Sequence, residues 1–384
     1  MFASNIGTQR QARIGVSSFF FITGLCFATW ASRIPDVQHH IGLSKAALGS
    51  VLFASPVGSM LCLPLAGFLV TRFGSRTCLF VGTFLYAFVL CIIGLTNTPW
   101  QLVAALFFYG MSANLMNISV NTQAVDVEVL YGRSIMASFH GLWSLAGATG
   151  AGIGWLMVWL GVRPEIHFII VACIMVLSLT IFFRFTLQHI EHVQHKEKFS
   201  FKWNNVKAIL TLGIIAFCCM GCEGCMFDWS GIYFRDVVNA PAQYVTVGYT
   251  VFMCTMACGR FIADAMVVRY GTIKVLQASG CLISAGLLTA VLFPSFFSAA
   301  FGFFLTGFGV SSVVPLTYGV AGKTNKMKTG IAISLVSSVG FLGFLFGPPL
   351  IGYIAEMWNL RWSFGLMAII GFGTFLFARK VKME

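Results

Sequence analysis

Charge is what this chain of 384 residues lacks: Asp, Glu, Lys and Arg together supply 9% of it. A soluble domain carries about a quarter charged residues. With 58% apolar residues and a mean hydropathy of +0.87, most of this sequence would find no place to be buried in water. That excludes a soluble enzyme, and it excludes a nucleic-acid-binding domain despite the net charge of +12. Catalytic signatures are missing too: there is no phosphate-binding Gly loop, zinc-protease motif, nucleophile elbow or paired nucleophile and base, so the chain does not read as an enzyme. A disulfide framework is absent as well, because the 12 Cys are scattered through apolar segments instead of polar loops. Cys222-x-x-Cys225 shares a stripe with Cys218, but no second ligand cluster accompanies it. These thiols read as small hydrophobes, and no metal or other cofactor is implied.

The few charges that exist cut the chain into runs of membrane-spanning length. Arg13 to Arg33 encloses 19 uncharged residues, Lys45 to Arg72 encloses 26, Arg133 to Arg163 encloses 29 and Lys328 to Glu356 encloses 27. Two longer gaps, Arg76 to Asp126 and Lys274 to Lys323, are broken near their middles by Asn97-Thr98-Pro99 and Phe293-Pro294-Ser295, so each reads as a hairpin of two spans. The reading is twelve spans: 14–32, 46–70, 77–96, 100–121, 136–160, 165–185, 208–232, 244–267, 273–292, 296–319, 330–354 and 362–379. Arg10 and Arg13 ahead of an apolar run mimic a secretory signal, but further spans follow, so this run is taken as the first helix.

Basic residues collect on the cytoplasmic side of a membrane. With both termini inside, the cytoplasmic loops and tails hold 18 Lys and Arg and the opposite side 5, which fixes the orientation. The longest polar stretch carries His189, His192 and His195 at three-residue spacing. A metal site there is conceivable, but a solvated amphipathic linker accounts for it. The expected organisation is an N-terminal six-helix bundle (1–187), a cytoplasmic linker (188–206) and a C-terminal six-helix bundle (207–384). The halves echo each other: Trp30 and Trp229, like Gly49 and Gly248, are 199 residues apart, and Arg72-Phe73-Gly74 matches Arg269-Tyr270-Gly271 after a two-residue slip. Such duplication is how many transporters are built. The fold class expected is an all-α membrane protein with twelve transmembrane helices in two pseudo-symmetric bundles.

The loop after span 2 runs from Gly67 through Arg72, Gly74 and Arg76. Here the chain resembles the major facilitator superfamily, whose signature in this loop is a Gly, an Asp, then Arg-x-Gly-Arg. A degenerate copy runs from Gly259-Arg260 through Asp264 to Arg269 and Gly271. The resemblance implies a cytoplasmic latch built on Gly67, Arg72, Gly74, Arg76, Asp264 and Arg269. Thr71 stands where Asp is usual, so the latch carboxylate is missing in the first copy; simple positive-inside anchoring is the plainer role for the arginines. The start of span 5, His140-Gly141-Leu142-Trp143-Ser144, together with Trp30-Ala31-Ser32-Arg33, is similar to the bacterial MosC-like branch near the fucose/glucose/galactose:proton symporters. Those symporters carry coupling carboxylates in helices 1 and 4. Here span 1 has none before Asp36 and span 4 has amides, so their coupling scheme does not carry over.

Ionisable groups inside a membrane are costly and mark pathways. Glu223 and Asp228 in span 7 and Arg260 in span 8 are the candidates, with His140 in span 5. Either carboxylate could carry a proton, unless Arg260 pairs with one as a static brace between the two spans. The two lie about 140° apart around a helix and share one groove only if that helix bends, which Gly221, Gly224 and Gly231 allow. Asp264, one turn below Arg260, is a candidate local partner for it. Asn114, Asn117 and Asn121 form one polar face in span 4, suited to a solute's hydroxyls or to amide bonds between helices. Trp30, Trp143 and Trp229 offer stacking faces beside them. The Gly rows in spans 5 and 11 read as close-packing faces.

The expectation is thus a secondary transporter of a small polar organic solute, sugar-like by resemblance, working by alternating access with a proton gradient as energy source. Uptake follows the symporter kinship. Efflux of a small metabolite or drug is the alternative, and a transport-dead sensor or scaffold is the alternative of another class. The expected partners are the solute and the lipid bilayer, with no nucleic acid, and the chain is expected to be monomeric. Its expected place is a bacterial cytoplasmic (inner) membrane.

Overall fold

The computed structural model describes residues 6–132, 135–188, 203–322 and 329–381; Arg133, the linker histidines and the basic residues Lys323, Lys326 and Lys328 fall outside them. The described residues form fourteen α-helices that make up twelve segments long and apolar enough to cross a membrane. In chain order they are α1 (Ile6–Ile41), α2 (Lys45–Leu52), α3 (Ala54–Phe73), α4 (Ser75–Gly94), α5 (Pro99–Tyr131), α6 (Met136–Trp159) and α7 (Pro164–Phe182). The second set is α8 (Trp203–Asp236), α9 (Val247–Tyr270), α10 (Thr272–Leu292), α11 (Phe296–Val310), α12 (Val313–Gly322), α13 (Thr329–Met357) and α14 (Leu360–Ala378).

Span 2 is interrupted between α2 and α3, and span 10 between α11 and α12. The breaks fall at Phe53, just after the Leu52 carbonyl four residues before Pro56, and at Ser311 and Ser312, the former four residues before Pro315. A proline ring collides with the carbonyl four residues back and supplies no N–H to it, which is the physical cause of both breaks. The two hairpin turns read from the sequence are capped as their residues dictate. Thr98 accepts a hydrogen bond from the Gln101 N–H with Pro99 in the first turn, and Ser295 accepts one from the Ser298 N–H.

The chain divides into two compact units, Met1–Leu43 with Ala54–Gln194, and Ser44–Phe53 with His195–Glu384. Each is built by the same helix pairings. In the first, α1 packs on α6, α3 and α4 on α5, and α4 on α7; in the second, α8 packs on α13, α9 and α10 on α11, and α10 on α14. Gly74 and Gly271 adopt the same backbone conformation, φ 82 with ψ 149 and 151, a region that disfavours any residue with a Cβ. Duplication is thus visible in the backbone as well as in the sequence.

The second unit includes α2, which docks on α13. A Cβ on Gly49 would lie 2.6 Å from the Pro348 carbonyl oxygen, and one on Gly352 2.5 Å from that of Lys45, so the two backbones cross at glycines. Glu356 accepts hydrogen bonds from the Lys45 and Ala46 N–H groups at the start of α2, and Lys45 pairs with Asp236 at 3.4 Å. The α8–α13 crossing is equally close: a Cβ on Gly343 would sit 2.6 Å from the Phe217 carbonyl oxygen and 2.7 Å from the Gly221 nitrogen. Gly343→Ala is therefore expected to lower thermal stability by about 1–3 kcal/mol through overpacking. Gly67→Ala, where nothing lies within 4 Å, should be neutral or slightly stabilising in the same unfolding assay.

Candidate functional site

The charged groups read from spans 7 and 8 meet in the second unit. Unbroken α8 carries Glu223, which meets Arg260 of α9, and Asp228, which stands near Tyr249 of α9. Glu223 accepts a hydrogen bond from Arg260 Nη2 at 3.4 Å, with side-chain exposures of 7% and 23%. This is the brace arrangement, and it corrects the assignment of Asp264 as the partner of Arg260: Asp264 is exposed and makes no ion pair or hydrogen bond among the described residues. One turn of helix places Asp264 near Arg260 in sequence, yet the guanidinium turns toward α8, where the carboxylate is shielded from water and the attraction is stronger. Tyr318 of α12 lies within electrostatic range of Glu223 and meets the side chain of Ser337.

Asp228 is half-buried and has no ion pair or hydrogen bond among the described residues; its electrostatic neighbours are Tyr249 and Cys225. The hydroxyl of Tyr249 is buried without a hydrogen-bond partner. The same holds for Trp229 Nε1 and Ser230 Oγ, the residues that follow Asp228, and for Thr246 Oγ1 at the start of α9. Buried polar groups are nearly always satisfied. Of these groups the Tyr249 hydroxyl is the one beside Asp228, so a carboxylate and an unpartnered hydroxyl stand together between α8 and α9, a pair suited to a polar guest or a proton. Trp229 itself is fully buried, so it offers no open stacking face. The thiols of Cys219 and Cys222 donate to the Val310 and Met367 carbonyls, and no cluster of metal ligands occurs among the described residues.

In the first unit the candidates separate. Asn121 Nδ2 donates to the Asn117 carbonyl and to Asn117 Oδ1, both at 2.8 Å, so these two amides answer each other. Asn114 is different: its Oδ1 is buried without a partner. Trp30 is buried against Tyr109, whose hydroxyl donates to the Cys26 carbonyl and whose ring lies 4.6 Å from that of Tyr86. His140 is exposed, its ring edge-on to Phe20 at 5.3 Å, and Trp143 packs against Phe27.

The latch arginines lie on aromatic rings. Arg72 sits over Phe68 and Phe73, Arg269 over Tyr270, and Arg76 over Phe183 at 4.7 Å. Gly67 is exposed and Gly74 supplies the positive-φ link between α3 and α4.

Sequence reasoning missed one constellation. Helix α1 continues to Ile41, which brings Arg33 and Asp36 inside it. Arg33 is 2% exposed and donates to Asp36 at 2.8 Å, to the Val162 carbonyl at 2.8 Å and to His167 Nδ1 at 3.2 Å. That last bond makes Nδ1 an acceptor, so the ring proton resides on Nε2, which is buried and unpartnered. The i, i+3 spacing of Arg33 and Asp36 was a usable signal, obscured by Pro35 and by counting Arg33 as a loop residue.

With this geometry in hand, the likeness to known proteins is specific. The family model of the Major Facilitator Superfamily matches residues 16–283 and 238–382. The chain belongs to that superfamily. An uncharacterized MFS-type transporter of Yersinia pestis is 32% identical to this facilitator over 353 residues, covering 91% of each chain. The membrane protein MosC of Rhizobium meliloti is 30% identical over 369 residues, 95% of this chain and 88% of that one. Among solved structures, the nucleoside transporter NupG superposes with a TM-score of 0.76 at 15% identity over 98% of this chain and 100% of its own. The E. coli fucose:proton symporter FucP superposes with a TM-score of 0.62 at 16% identity over 97% of this chain and 98% of its own. At such identities the two solved structures bear on the fold of the facilitator alone.

Proposed function

We propose that this facilitator is a proton-coupled secondary transporter that takes up a small, neutral, hydroxyl-rich solute by alternating access. The observation that carries the reading is the division of labour between two carboxylates on α8: Glu223 is held by Arg260, whereas Asp228 is not ion-paired among the described residues and stands beside the unsatisfied hydroxyl of Tyr249. A carboxylate without a cation is the one that can gain and lose a proton without breaking a structural pair. The Tyr249 hydroxyl beside Asp228 offers both a donor and an acceptor to a solute hydroxyl. The names of the two structural relatives, a fucose:proton symporter and a nucleoside transporter, point to the same solute chemistry. The protein would work as a monomer in the cytoplasmic membrane with both termini inside.

The test is flux in liposomes, after a thermal-shift screen of hexoses, 6-deoxyhexoses and nucleosides has selected the solute. Wild-type protein should accumulate that solute when protons are supplied from outside. Asp228→Asn should abolish accumulation while keeping solute exchange at equal concentrations. Glu223→Gln should impair both. Accumulation by Asp228→Asn with unchanged dependence on the proton gradient would remove Asp228 from coupling. Solute leaving as protons enter would replace uptake by efflux.

A further inference from the structure

In the second unit, α9 and α10 both rest on α11, and their cytoplasm-facing halves line a cavity of about 280 Å³ with it. Its walls are apolar, with Ile262, Met266, Val275, Leu282 and Phe308 supplying most of the surface. The two serines at its floor do not face a guest as free donors: Ser311 donates to the Phe308 carbonyl, and Ser312 shares a hydrogen bond with Ser279 at 3.1 Å. Apart from Lys274 and Tyr270 at its mouth, the lining offers a polar solute no free side-chain donor.

The repeat gives this space a counterpart in the first unit. Arg72 and Arg269, like Gly74 and Gly271, are 197 residues apart. Applied to the first unit, that shift carries the cavity onto a closed apolar cluster of Cys62, Ala66, Val70, Cys78 and Leu115, with Leu69 and Met111 packed against it. The counterpart of Cys62 is Gly259, that of Leu115 is Ser312, and that of Val81 is Ala278. Asn114 likewise becomes Ser311, whereas Gly82, Cys78 and Met111 become the larger Ser279, Val275 and Phe308, so bulk is redistributed around the cavity in the second copy. A Cβ on Gly259 would collide with the Ser311 hydroxyl, so Gly259 lets α9 approach the end of α11 closely at the cavity's edge.

Charge marks its mouth. Lys274 lines the cavity where Thr77 stands in the first copy; it is exposed and makes no ion pair among the described residues. Tyr270, also in the lining, carries Arg269 against its ring at 5.3 Å. The acid of this stretch, Asp264, is outside the lining. The basic loops assign this end to the cytoplasmic leaflet, where anionic headgroups concentrate and basic pockets between helices hold them. At about 280 Å³ the space lies at the lower limit for a ligand pocket, enough for part of one acyl chain and not for a whole lipid.

We propose that this cavity binds an anionic phospholipid of the surrounding bilayer. Part of one acyl chain lies between α9 and α10 on α11, and the phosphate is held by Lys274 with Arg269 beside it.

The test is native mass spectrometry of delipidated protein incubated with equal amounts of phosphatidylglycerol and phosphatidylcholine of the same chains. Wild type should retain phosphatidylglycerol preferentially. Lys274→Glu, a surface change that leaves the cavity intact, should cut phosphatidylglycerol retention roughly tenfold or more without lowering phosphatidylcholine. Ala278→Trp, at an exposed lining position where bulk enters without disturbing the core, should lower both. Leu376→Trp on α14, equally exposed and away from the cavity, should change neither. Equal retention of the two lipids by wild type, wild-type phosphatidylglycerol retention by Lys274→Glu, or an Ala278→Trp protein that binds as before would each overturn the assignment.

Discussion

Replacing Arg33 by Ala should destabilise the first unit by about 3–5 kcal/mol, the largest effect expected of any single polar substitution in the described residues. The reason lies in what is left behind. Asp36 is 39% exposed in its side chain and can recover water, so its loss is modest. His167 and the Val162 carbonyl cannot compensate in the same way: the imidazole is fully buried and would have neither nitrogen bonded, and each such group costs about 1–3 kcal/mol. Arg33→Lys should restore little, because one ammonium cannot reproduce a planar fork that serves three acceptors at once. Asp36→Asn should cost less than about 1 kcal/mol. Thermal unfolding of the purified variants in one detergent checks the order. If Asp36→Asn proves as damaging as Arg33→Ala, the ion pair and not the histidine contact organises the site.

The second large effect is expected at the Glu223–Arg260 pair, and it is asymmetric. Arg260→Ala leaves a carboxylate of 7% exposure without its cation, at a cost toward the lower end of the roughly 3–5 kcal/mol typical of a broken buried pair. Glu223→Gln leaves a guanidinium that is 23% exposed and carried on a long, flexible stem; it can turn toward water and should cost only about 1 kcal/mol. The double variant Glu223→Gln/Arg260→Ala should then be more stable than Arg260→Ala alone, since a neutral amide tolerates burial better than an unpaired charge. A double-mutant cycle in unfolding experiments measures this directly. If the two single costs simply add, the side chains do not interact and the brace does not exist.

Most of the architecture was legible in where charge is absent. Each of the twelve spans read from the gaps corresponds to a membrane-crossing segment, but several ends were placed short. The first span ended at 32, whereas α1 runs to Ile41; the fourth ended at 121, whereas α5 runs to Tyr131. Hydropathy reports where lipid stops, and backbone hydrogen bonding continues past that point into residues such as Asp36, Asp126 and Glu128. The interruptions at Phe53 and Ser311 did have a signal in Pro56 and Pro315, unread because a proline inside an apolar run is often tolerated. Pro348 and Pro349 sit within unbroken α13 and show that tolerance. The brace between Glu223 and Arg260 was among the sequence alternatives, because both lie in adjacent spans and are of opposite charge. The His167–Arg33 contact was not, since it joins residues 134 apart and periodicity carries no information across that distance.

The thiols dispersed through the helices give the unmodified protein a graded set of chemical clocks. Cys173, Cys254, Cys258 and Cys281 are exposed on membrane-spanning helices, so those that meet water should alkylate first and those that meet lipid slowly, whereas Cys218, Cys219, Cys222 and Cys225 are buried along α8. Cys222 is tied to the Met367 carbonyl of α14, and a Cβ on Gly373 would come within 2.9 Å of Cys218 Sγ, so reagent reaches these sulfurs only when α8 loosens from its neighbours. The rate at which a small maleimide modifies them, read peptide by peptide, therefore counts how often the helix bearing Glu223 and Asp228 opens. Adding solute should slow or quicken that count without any reporter having been engineered into the chain.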